Sequence, residues 1–349
     1  MSLIQLTVGS YNSPDNQPTI HRFKLDTETG SSTMIDSFVG LSNPSFIAFP
    51  QKGVLLAVNE DCNPDDGLTV LHLKDNVYHK IMKSSGEGSA PCHVAVSPDC
   101  SFVATANYLG GSVSIFPFDK ESGTIGRPKV IQFSGKGSDE RRQAGPHAHF
   151  VTFTPDGRYM IVPDLGTDAL HIIPMKDGKP DGANKTDLKM SPGSGPRHIV
   201  FNQKGDIAYL VSELAGTVTI IDYDSEKGTF TTRRVVELDP NHAHASADIH
   251  LSSDGRFLYA SNRRIDDGLV CYAVDLESGE LNRVGFTPTG SHPRNFTITT
   301  DGKLQFVACR DDNRIEVYRR NLESGALSLL STIACPLPVC ILLEDSETV

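Results

Sequence analysis

Short stretches of alternating apolar and polar residues recur along the whole chain and are separated by polar turns. In residues 216–221, for example, Val218 and Ile220 alternate with threonines. Alternation with a period of two over a few residues is typical of a β-strand with one buried face. Many stretches are followed by an Asp-Gly pair such as Asp156-Gly157, and glycine supplies the positive φ that a tight hairpin requires. The pattern predicts many short antiparallel strands.

A unit of about 49 residues repeats along the chain. Each unit has a start that is mostly proline, an apolar stretch, a turn of the Asp-Gly type and a second apolar stretch. The seven starts are Pro44, Pro91, Pro146, Pro196, Ser246, Pro293 and Pro338. In the second unit Cys100 replaces the turn glycine, which predicts a slightly different turn there.

Four short strands in a repeat of this length are typical of a propeller blade. We therefore predict an all-β protein: a seven-bladed β-propeller with four antiparallel strands per blade, forming one domain over residues 1–349. The last unit has only one strand before the chain ends, and residues 6–10 and 19–25 resemble its second and third strands. The N- and C-terminal segments would then share the closing blade, which pairs two open edges. An array of β-sandwiches and two separate β domains are the alternatives.

Propeller geometry converts the repeat into a prediction of the site. The residues just after each start and those at the end of the second strand should lie on one face, near the central channel. The charged or ionisable residues at these positions are Glu60, His93, His149, Arg197, His198, Glu213, Asp248, Arg263 and Arg294. A scaffold would repeat one small or apolar residue type in every blade, so this divergence predicts a binding site.

Several of these residues also have a structural interpretation. His93 and His198 occupy the same position in their repeats and could tie blade to blade. Asp248, or His250 beside it, could brace loops, and Glu60 could satisfy the backbone at a strand end. Arg294 is as compatible with packing as with a phosphate contact.

Composition narrows the classes of partner and compartment. The formal net charge is −11, which disfavours nucleic acid and anionic membranes as partners, and no apolar run is long enough to span a bilayer. The N-terminus lacks the pattern of a signal peptide. The seven cysteines include no C-x-x-C pair, so we expect neither a disulfide framework nor a zinc site, and a cytoplasmic protein.

Two H-x-H pairs are the only hint of a metal site. They are His147/His149 and His242/His244. Neither has a spaced acidic third ligand, so we predict no metal and no other cofactor. His242 and His244 should face the solvent.

Among the candidates, His149, Arg197, Glu213 and Arg263 supply an imidazole, two guanidiniums and a carboxylate. Arginine binds carboxylate or phosphate through a planar fork, histidine can accept a proton from water near neutral pH, and an arginine can stabilise the oxyanion of ester hydrolysis. The sequence contains no G-x-S-x-G motif and no Cys-His pair in a recognisable context, which disfavours a covalent acyl-enzyme.

Several motifs together resemble the lactonase family of seven-bladed propellers, which includes bacterial 6-phosphogluconolactonases and a fungal carboxy-cis,cis-muconate cyclase. The motifs are N-P-S-F at 43–46, P-C-H-V at 91–94, G-P-H-A-H-F at 145–150, G-P-R-H at 195–198, E-L-A-G-T at 213–217, A-D-I-H at 247–250, S-N-R at 261–263 and P-R-N-F at 293–296. The resemblance implies active-site roles for His149, Arg197, Glu213 and Arg263. Ser212 replaces the family's asparagine before the glutamate, and Arg264 leaves open which arginine turns inward.

The resemblance implies hydrolysis of a small anionic sugar lactone, 6-phospho-D-glucono-1,5-lactone, in the cytoplasm. His149 would activate water, Arg197 and Arg263 would hold the substrate anion or carbonyl oxygen, and Glu213 would orient the histidine or a substrate hydroxyl. We expect the substrate-binding residues to be Arg294, His93, His198, Asp248 and Glu60, and the protein to be a monomer or weak homodimer. A lactonase or cyclase for another carboxylated lactone, such as a muconolactone, and a non-catalytic propeller that binds a partner or ligand are the alternatives.

Overall fold

A computed structural model describes residues 3–12, 17–62, 67–85 and 87–344, which are almost entirely strands and turns. The strands in chain order are β1 Leu3–Ser10, β2 Ile20–Asp26, β3 Ser32–Phe38, β4 Ile47–Gln51, β5 Val54–Val58, β6 Leu68–Lys74, β7 Val77–Ser84, β8 Pro91–Val96, β9 Phe102–Asn107, β10 Ser112–Asp119, β11 Thr124–Ile125, β12 Lys129–Gln132, β13 Thr152–Phe153, β14 Tyr159–Asp164, β15 Ala169–Lys176, β16 Lys179–Pro180, β17 Thr186–Lys189, β18 Pro196–Phe201, β19 Ile207–Ser212, β20 Thr217–Asp224, β21 Thr229–Glu237, β22 Ile249–Leu251, β23 Phe257–Asn262, β24 Gly268–Val274, β25 Leu281–Pro288, β26 Pro293–Ile298, β27 Leu304–Cys309, β28 Arg314–Arg320, β29 Leu327–Ala334 and β30 Pro338–Glu344. Two 3₁₀ turns, Gly182–Asn184 and Arg310–Asp312, are the helical elements of the described residues.

These strands form seven sheets, one for each predicted repeat. The strand orders are β3-β2-β1-β30, β4-β5-β6-β7, β8-β9-β10-β11, β13-β14-β15-β16, β18-β19-β20-β21, β22-β23-β24-β25 and β26-β27-β28-β29. In two sheets the fourth position is divided between short strands, because β12 also pairs with β10 and β17 also pairs with β15. The first sheet joins β30 to β1, which confirms that the two ends of the chain share one sheet.

The chain divides into two compact units. The first unit comprises Met1–Asp15, His21–Ser37 and His198–Leu343, and the second comprises Asn16–Ile20, Phe38–Arg197 and Glu344–Val349. In each unit, neighbouring sheets pack apolar faces together. In the first, β19 and β20 pack against β23 and β24 through residues that include Tyr209 and Leu258. In the second, β9 and β10 pack against β14 and β15 through Val113 and Met160.

The position of a strand within its sheet determines how much of the strand is buried. The second strands β9, β14, β19, β23 and β27 are almost entirely buried, whereas the fourth strands β21 and β25 are mostly exposed. A strand with packed sheets on both faces requires a nearly continuous apolar run. This explains why the second strands read as unbroken apolar stretches, such as Val54–Val58.

The turn at Cys100 is the same as the Asp-Gly turns, so the expectation of a different turn is wrong. Cys100 has a φ of +53° and its N–H donates to the Ser97 carbonyl at 2.8 Å, as Gly157 (φ +70°) donates to Thr154 at 2.8 Å. The Ser97 hydroxyl and Asp99 carboxylate accept hydrogen bonds from the Ser101 amide. These contacts compensate for the left-handed conformation, which costs a residue with a Cβ about 1–2 kcal/mol.

In the part of the chain that the structure describes, no helix is long and apolar enough to cross a membrane.

Candidate active site

In the second unit, His149 lies against the thiol of Cys92. The Cys92 Sγ is 3.9 Å from His149 Nδ1 and donates to the His149 carbonyl oxygen at 3.3 Å. Both residues are buried. They follow the starts of successive repeats, so the contact joins equivalent positions of neighbouring sheets. Sequence reasoning placed both residues at these positions but did not predict the pair, although the shared position was a usable signal.

Aromatic rings surround His149. The Tyr108 ring stacks on His147 with centroids 4.5 Å apart and meets His149 edge-on at 5.5 Å. The His147 Nδ1 lies 2.9 Å from the Tyr108 carbonyl oxygen, and the His147 amide donates to Asp164 Oδ1 at 2.7 Å. The backbone and side chain of His147 are therefore both anchored, two residues before His149.

Asp164 is in turn held by a buried histidine. His171 bridges Asp164 Oδ2 at 3.1 Å and Asp187 Oδ1 at 2.7 Å. Burial opposes charge on both His171 and Asp164, but their mutual hydrogen bond and attraction, together with Asp187, raise the pKa of His171 and lower the pKa of Asp164. The cluster connects β17 at the outer side of this sheet to the loop that carries His149.

Arg197 is almost fully buried at the start of β18. The loop before it is fixed by Asp168, which accepts the Gly193 amide at 2.7 Å and the Gly195 amide at 2.9 Å. The structure thus places Arg197 and His149 in the second unit, each after a loop anchored by a buried aspartate.

His93 is enclosed by rings at the equivalent positions of adjacent repeats. Its ring centroid lies 4.0 Å from that of Phe46 and 3.9 Å from that of Phe150, and its Nδ1 accepts the Val151 amide at 3.3 Å. These contacts support the interpretation that His93 ties blade to blade. Glu60, half-buried, donates its amide to the Asn43 carbonyl at a strand end. Substrate binding by either residue stays a prediction.

In the first unit, Glu213 and Arg263 form a buried ion pair with 3.2 Å between Oε2 and Nη2. Arg263 also donates to the Ala245 carbonyl at 2.7 Å and lies 3.2 Å from His292 Nε2. Arg264 is exposed, so Arg263 is the arginine that turns inward. Sequence reasoning missed His292, although it directly precedes a repeat start.

The environment of His292 keeps it neutral. Burial, followed by repulsion from Arg263 and Arg310, lowers the pKa of His292 to about 3. A neutral His292 can accept a hydrogen bond from Arg263 through Nε2. The guanidinium of Arg263 is therefore oriented by a carboxylate, a carbonyl and an imidazole.

Asp248 is the centre of a second buried cluster in the first unit. It lies 2.8 Å from His198 Nδ1 and 3.0 Å from His250 Nε2, and it accepts the Asn295 amide group at 2.7 Å. Burial opposes its ionisation, but His250 and His198 hold the pKa of Asp248 well below its usual range. The contacts run between equivalent positions of successive repeats, which supports a bracing role for His198 and Asp248, and substrate binding by them stays a prediction.

Arg294 is half-buried, with its guanidinium 5.4 Å from the centroid of the Tyr11 ring. His242 and His244 are exposed, as predicted. Within the described ranges, no group of three or more His, Cys, Asp or Glu residues is arranged to hold a metal ion.

Comparison with known proteins confirms the predicted fold. The sequence model of a family described as "Lactonase, 7-bladed beta-propeller" matches residues 5–343. A crystal structure from Bacteroides fragilis is 36% identical, with a TM-score of 0.92 and coverage of 99% of this chain and 98% of that chain.

Two further relatives carry functional names. The 6-phosphogluconolactonase of Bacillus subtilis is 32% identical over 347 residues, which is 96% of each chain. The periplasmic gluconolactonase of Pseudomonas aeruginosa is 28% identical, with a TM-score of 0.87 and coverage of 98% of this chain and 99% of that chain. The similarity in both cases extends over nearly the full length of the chains.

Proposed function

The chain belongs to the lactonase family of seven-bladed β-propellers, and from this premise we propose that it hydrolyses a sugar lactone, 6-phospho-D-glucono-1,5-lactone, to 6-phosphogluconate. The observation that carries the proposal is the similarity to the Bacillus subtilis 6-phosphogluconolactonase over 96% of both chains. The buried cationic and imidazole groups suit an anionic substrate with a carbonyl group.

His149 is the proposed general base. The Cys92 thiol has two backbone acceptors, the His149 carbonyl at 3.3 Å and the Ala148 carbonyl at 3.8 Å. We assign its hydrogen to them, which makes the sulfur the acceptor towards His149 Nδ1. In the tautomer protonated at Nδ1, Nε2 carries the lone pair that can take a proton from water. The water oxygen attacks the lactone carbonyl carbon, the bond from that carbon to the ring oxygen breaks, and the proton held by His149 passes to the ring oxygen as it leaves.

Arg197 and Arg263 are proposed to hold the substrate anion and the carbonyl oxygen, where negative charge develops in the transition state. The contacts of Arg263 with Glu213, Ala245 and His292 orient its guanidinium before substrate arrives. Glu213 is proposed to accept a substrate hydroxyl as well. Arg294, His93, His198, Asp248 and Glu60 are proposed to line or brace the substrate site.

A kinetic assay tests the proposal. Purified protein is mixed with freshly generated 6-phospho-D-glucono-1,5-lactone, and acid release is compared with spontaneous opening in the same buffer. We expect a clear acceleration, and a rate equal to the spontaneous one would contradict the proposal.

The second candidate substrate is an unphosphorylated gluconolactone. It is favoured by the similarity to the Pseudomonas aeruginosa gluconolactonase. The same assay with D-glucono-1,5-lactone distinguishes the two candidates. If the phosphorylated lactone is the substrate, its hydrolysis should be faster than that of the unphosphorylated lactone, because the enzyme would then use the phosphate group for binding.

A further inference from the structure

A basic loop that the mechanism does not use lies next to the proposed base. Residues 136–143 carry Lys136, Arg141 and Arg142 against Asp139 and Glu140. Arg142 is half-buried and donates to the Tyr108 hydroxyl at 3.4 Å. The same Tyr108 ring contacts His147 and His149, so one aromatic side chain connects the Arg142 guanidinium to the proposed base.

The loop is held in shape by a fully buried glutamine. Gln143 donates to the Leu165 carbonyl at 2.8 Å and to Asp168 Oδ1 at 2.7 Å, and it accepts the Asp139 amide at 3.0 Å. A Cβ on Gly137 would lie 2.4 Å from the Gln143 side chain, so the turn closes tightly around that residue. Arg142 is therefore presented from a pre-organised backbone.

Asp168 links this loop to the segment before Arg197. The carboxylate that accepts Gln143 also accepts the Gly193 and Gly195 amides. The Arg142 loop and the loop before Arg197 thus share one buried anchor. The Asp139 carboxylate is occupied by the amides of Arg141 and Arg142, at 2.9 and 3.1 Å, and those hydrogen bonds lower the pKa of Asp139.

We propose that Arg142, with the Tyr108 hydroxyl and the His147 ring, forms the subsite that binds the phosphate of the substrate. The inference rests on the proposed function. A guanidinium fork matches two phosphate oxygens, and the Tyr108 hydroxyl, which accepts from Arg142, can donate its own hydrogen to a third. In 6-phospho-D-glucono-1,5-lactone the phosphate is carried by C6 on ring carbon C5, and C5 and the carbonyl carbon are both bonded to the ring oxygen. Phosphate and reacting carbon are therefore close together in the substrate, and Tyr108 contacts both Arg142 and His149. Arg142 would therefore determine preference for phosphorylated over plain sugar lactones.

The test compares two substrates and two neighbouring arginines. For Arg142→Gln we expect the KM for the phosphorylated lactone to rise about 10-fold to 100-fold with kcat little changed, and kcat/KM for D-glucono-1,5-lactone to stay within about twofold. Arg141→Gln, on the exposed neighbour, removes the same charge and should leave both substrates unaffected. Tyr108→Phe should also raise the KM for the phosphorylated lactone, but by less than Arg142→Gln.

Calorimetric titration gives a readout that does not depend on turnover. Wild-type protein should bind 6-phosphogluconate more tightly than gluconate, and Arg142→Gln should abolish that difference. Two results would contradict the proposed subsite. One is that Arg142→Gln weakens the binding of phosphorylated and unphosphorylated compounds equally, and the other is that Arg294→Gln, rather than Arg142→Gln, produces the phosphate-selective loss. A wild-type protein that accelerates neither lactone would instead contradict the proposed function.

Discussion

Two charged side chains buried in the first unit, Glu213 and Arg263, are paired with each other, and Arg263 is also paired with a backbone carbonyl. Glu213 and Arg263 are each about 5% exposed, and removing either partner would leave the other as a buried charge without its opposite charge. Such a pair is a costly way to stabilise a fold, because well-packed apolar residues of the same size would serve as well. Its presence is consistent with the site role proposed for both residues.

His149 and His242 allow a matched test of the proposed base, because both belong to H-A-H sequences. Replacing His149 by alanine should lower kcat by about 100-fold or more, since no group would take the proton from water. His242→Ala, in an exposed loop, should behave as wild type. The measurement is the initial rate of lactone hydrolysis after subtraction of spontaneous opening, and near-normal turnover by His149→Ala would remove His149 from the chemistry.

His171 should make the stability of the protein depend on pH. Its folded-state pKa is raised above 6.5 because of Asp164 and Asp187, although burial opposes the shift. A raised pKa stabilises the fold fully below pH 6.5, and the contribution is lost as pH rises through the folded-state value. Lys185, paired with Asp187 at 3.0 Å, is the other charged group of this cluster.

His171→Gln should remove this dependence. Between about pH 6 and about pH 9, the urea midpoint of the wild type should fall further than that of His171→Gln, so the difference between them narrows as pH rises. Parallel midpoint curves for the two proteins would show that His171 does not titrate between its two carboxylates.

At the scale of elements, the hairpin between the first and second strands has the same turn in five repeats, and this turn tolerates different residues. The residue in the left-handed position donates its N–H to the carbonyl three residues before it, and this residue is glycine in four of the repeats and Cys100 in the fifth. In four of these turns a Ser or Thr hydroxyl donates to the carboxylate of the Asp two residues later. The donors are Ser97, Thr154, Ser252 and Thr299. Side-chain hydrogen bonds therefore define this turn as much as glycine does.

This equivalence predicts unequal effects of alanine at the same turn position. Gly157→Ala should lower the free energy of unfolding by about 1 kcal/mol, because a Cβ is disfavoured at φ +70° even though no atom lies within 4 Å of it. Cys100→Ala should change it by less than about 0.5 kcal/mol, because the Cβ is already present. Urea unfolding measures both, and equal losses would contradict the argument.

At the scale of the whole molecule, the proposed reaction uses residues from successive repeats. His149 and Arg197 both belong to the second unit and follow the starts at Pro146 and Pro196. Residues that act in one transition state lose activity non-additively when they are replaced together.

A double variant tests this joint action. His149→Ala combined with Arg197→Gln should lose less activity than the product of the two single losses. Circular dichroism of each variant serves as the control for folding. Strictly multiplicative losses would indicate that the two residues act independently, which would contradict the proposed mechanism.

Much of the fold was predictable because its signals are local. Four of the seven predicted starts, Pro91, Pro196, Pro293 and Pro338, begin strands of the structure, whereas the other three precede the first strand of their repeat by three to six residues. Glu213 and Arg263, predicted at the ends of second strands, directly follow β19 and β23. The sharing of one sheet by the chain ends also followed from counting strands. The turn at Cys100 was predicted wrongly, because the prediction rested on the absence of glycine, whereas hydrogen bonds to Ser97 and Asp99 hold the turn in the same shape.

The sequence by itself determined the number of repeats, the alternation of buried and exposed positions and the places where charged groups occur, because each depends on a few consecutive residues. Only the tertiary structure decided which of these groups are partners. Cys92 meets His149, Glu213 meets Arg263, and Arg263 rather than Arg264 is buried. Such pairs are about 50 residues apart and depend on how one sheet packs on the next, so they arise from side-chain shape and burial that no local pattern encodes.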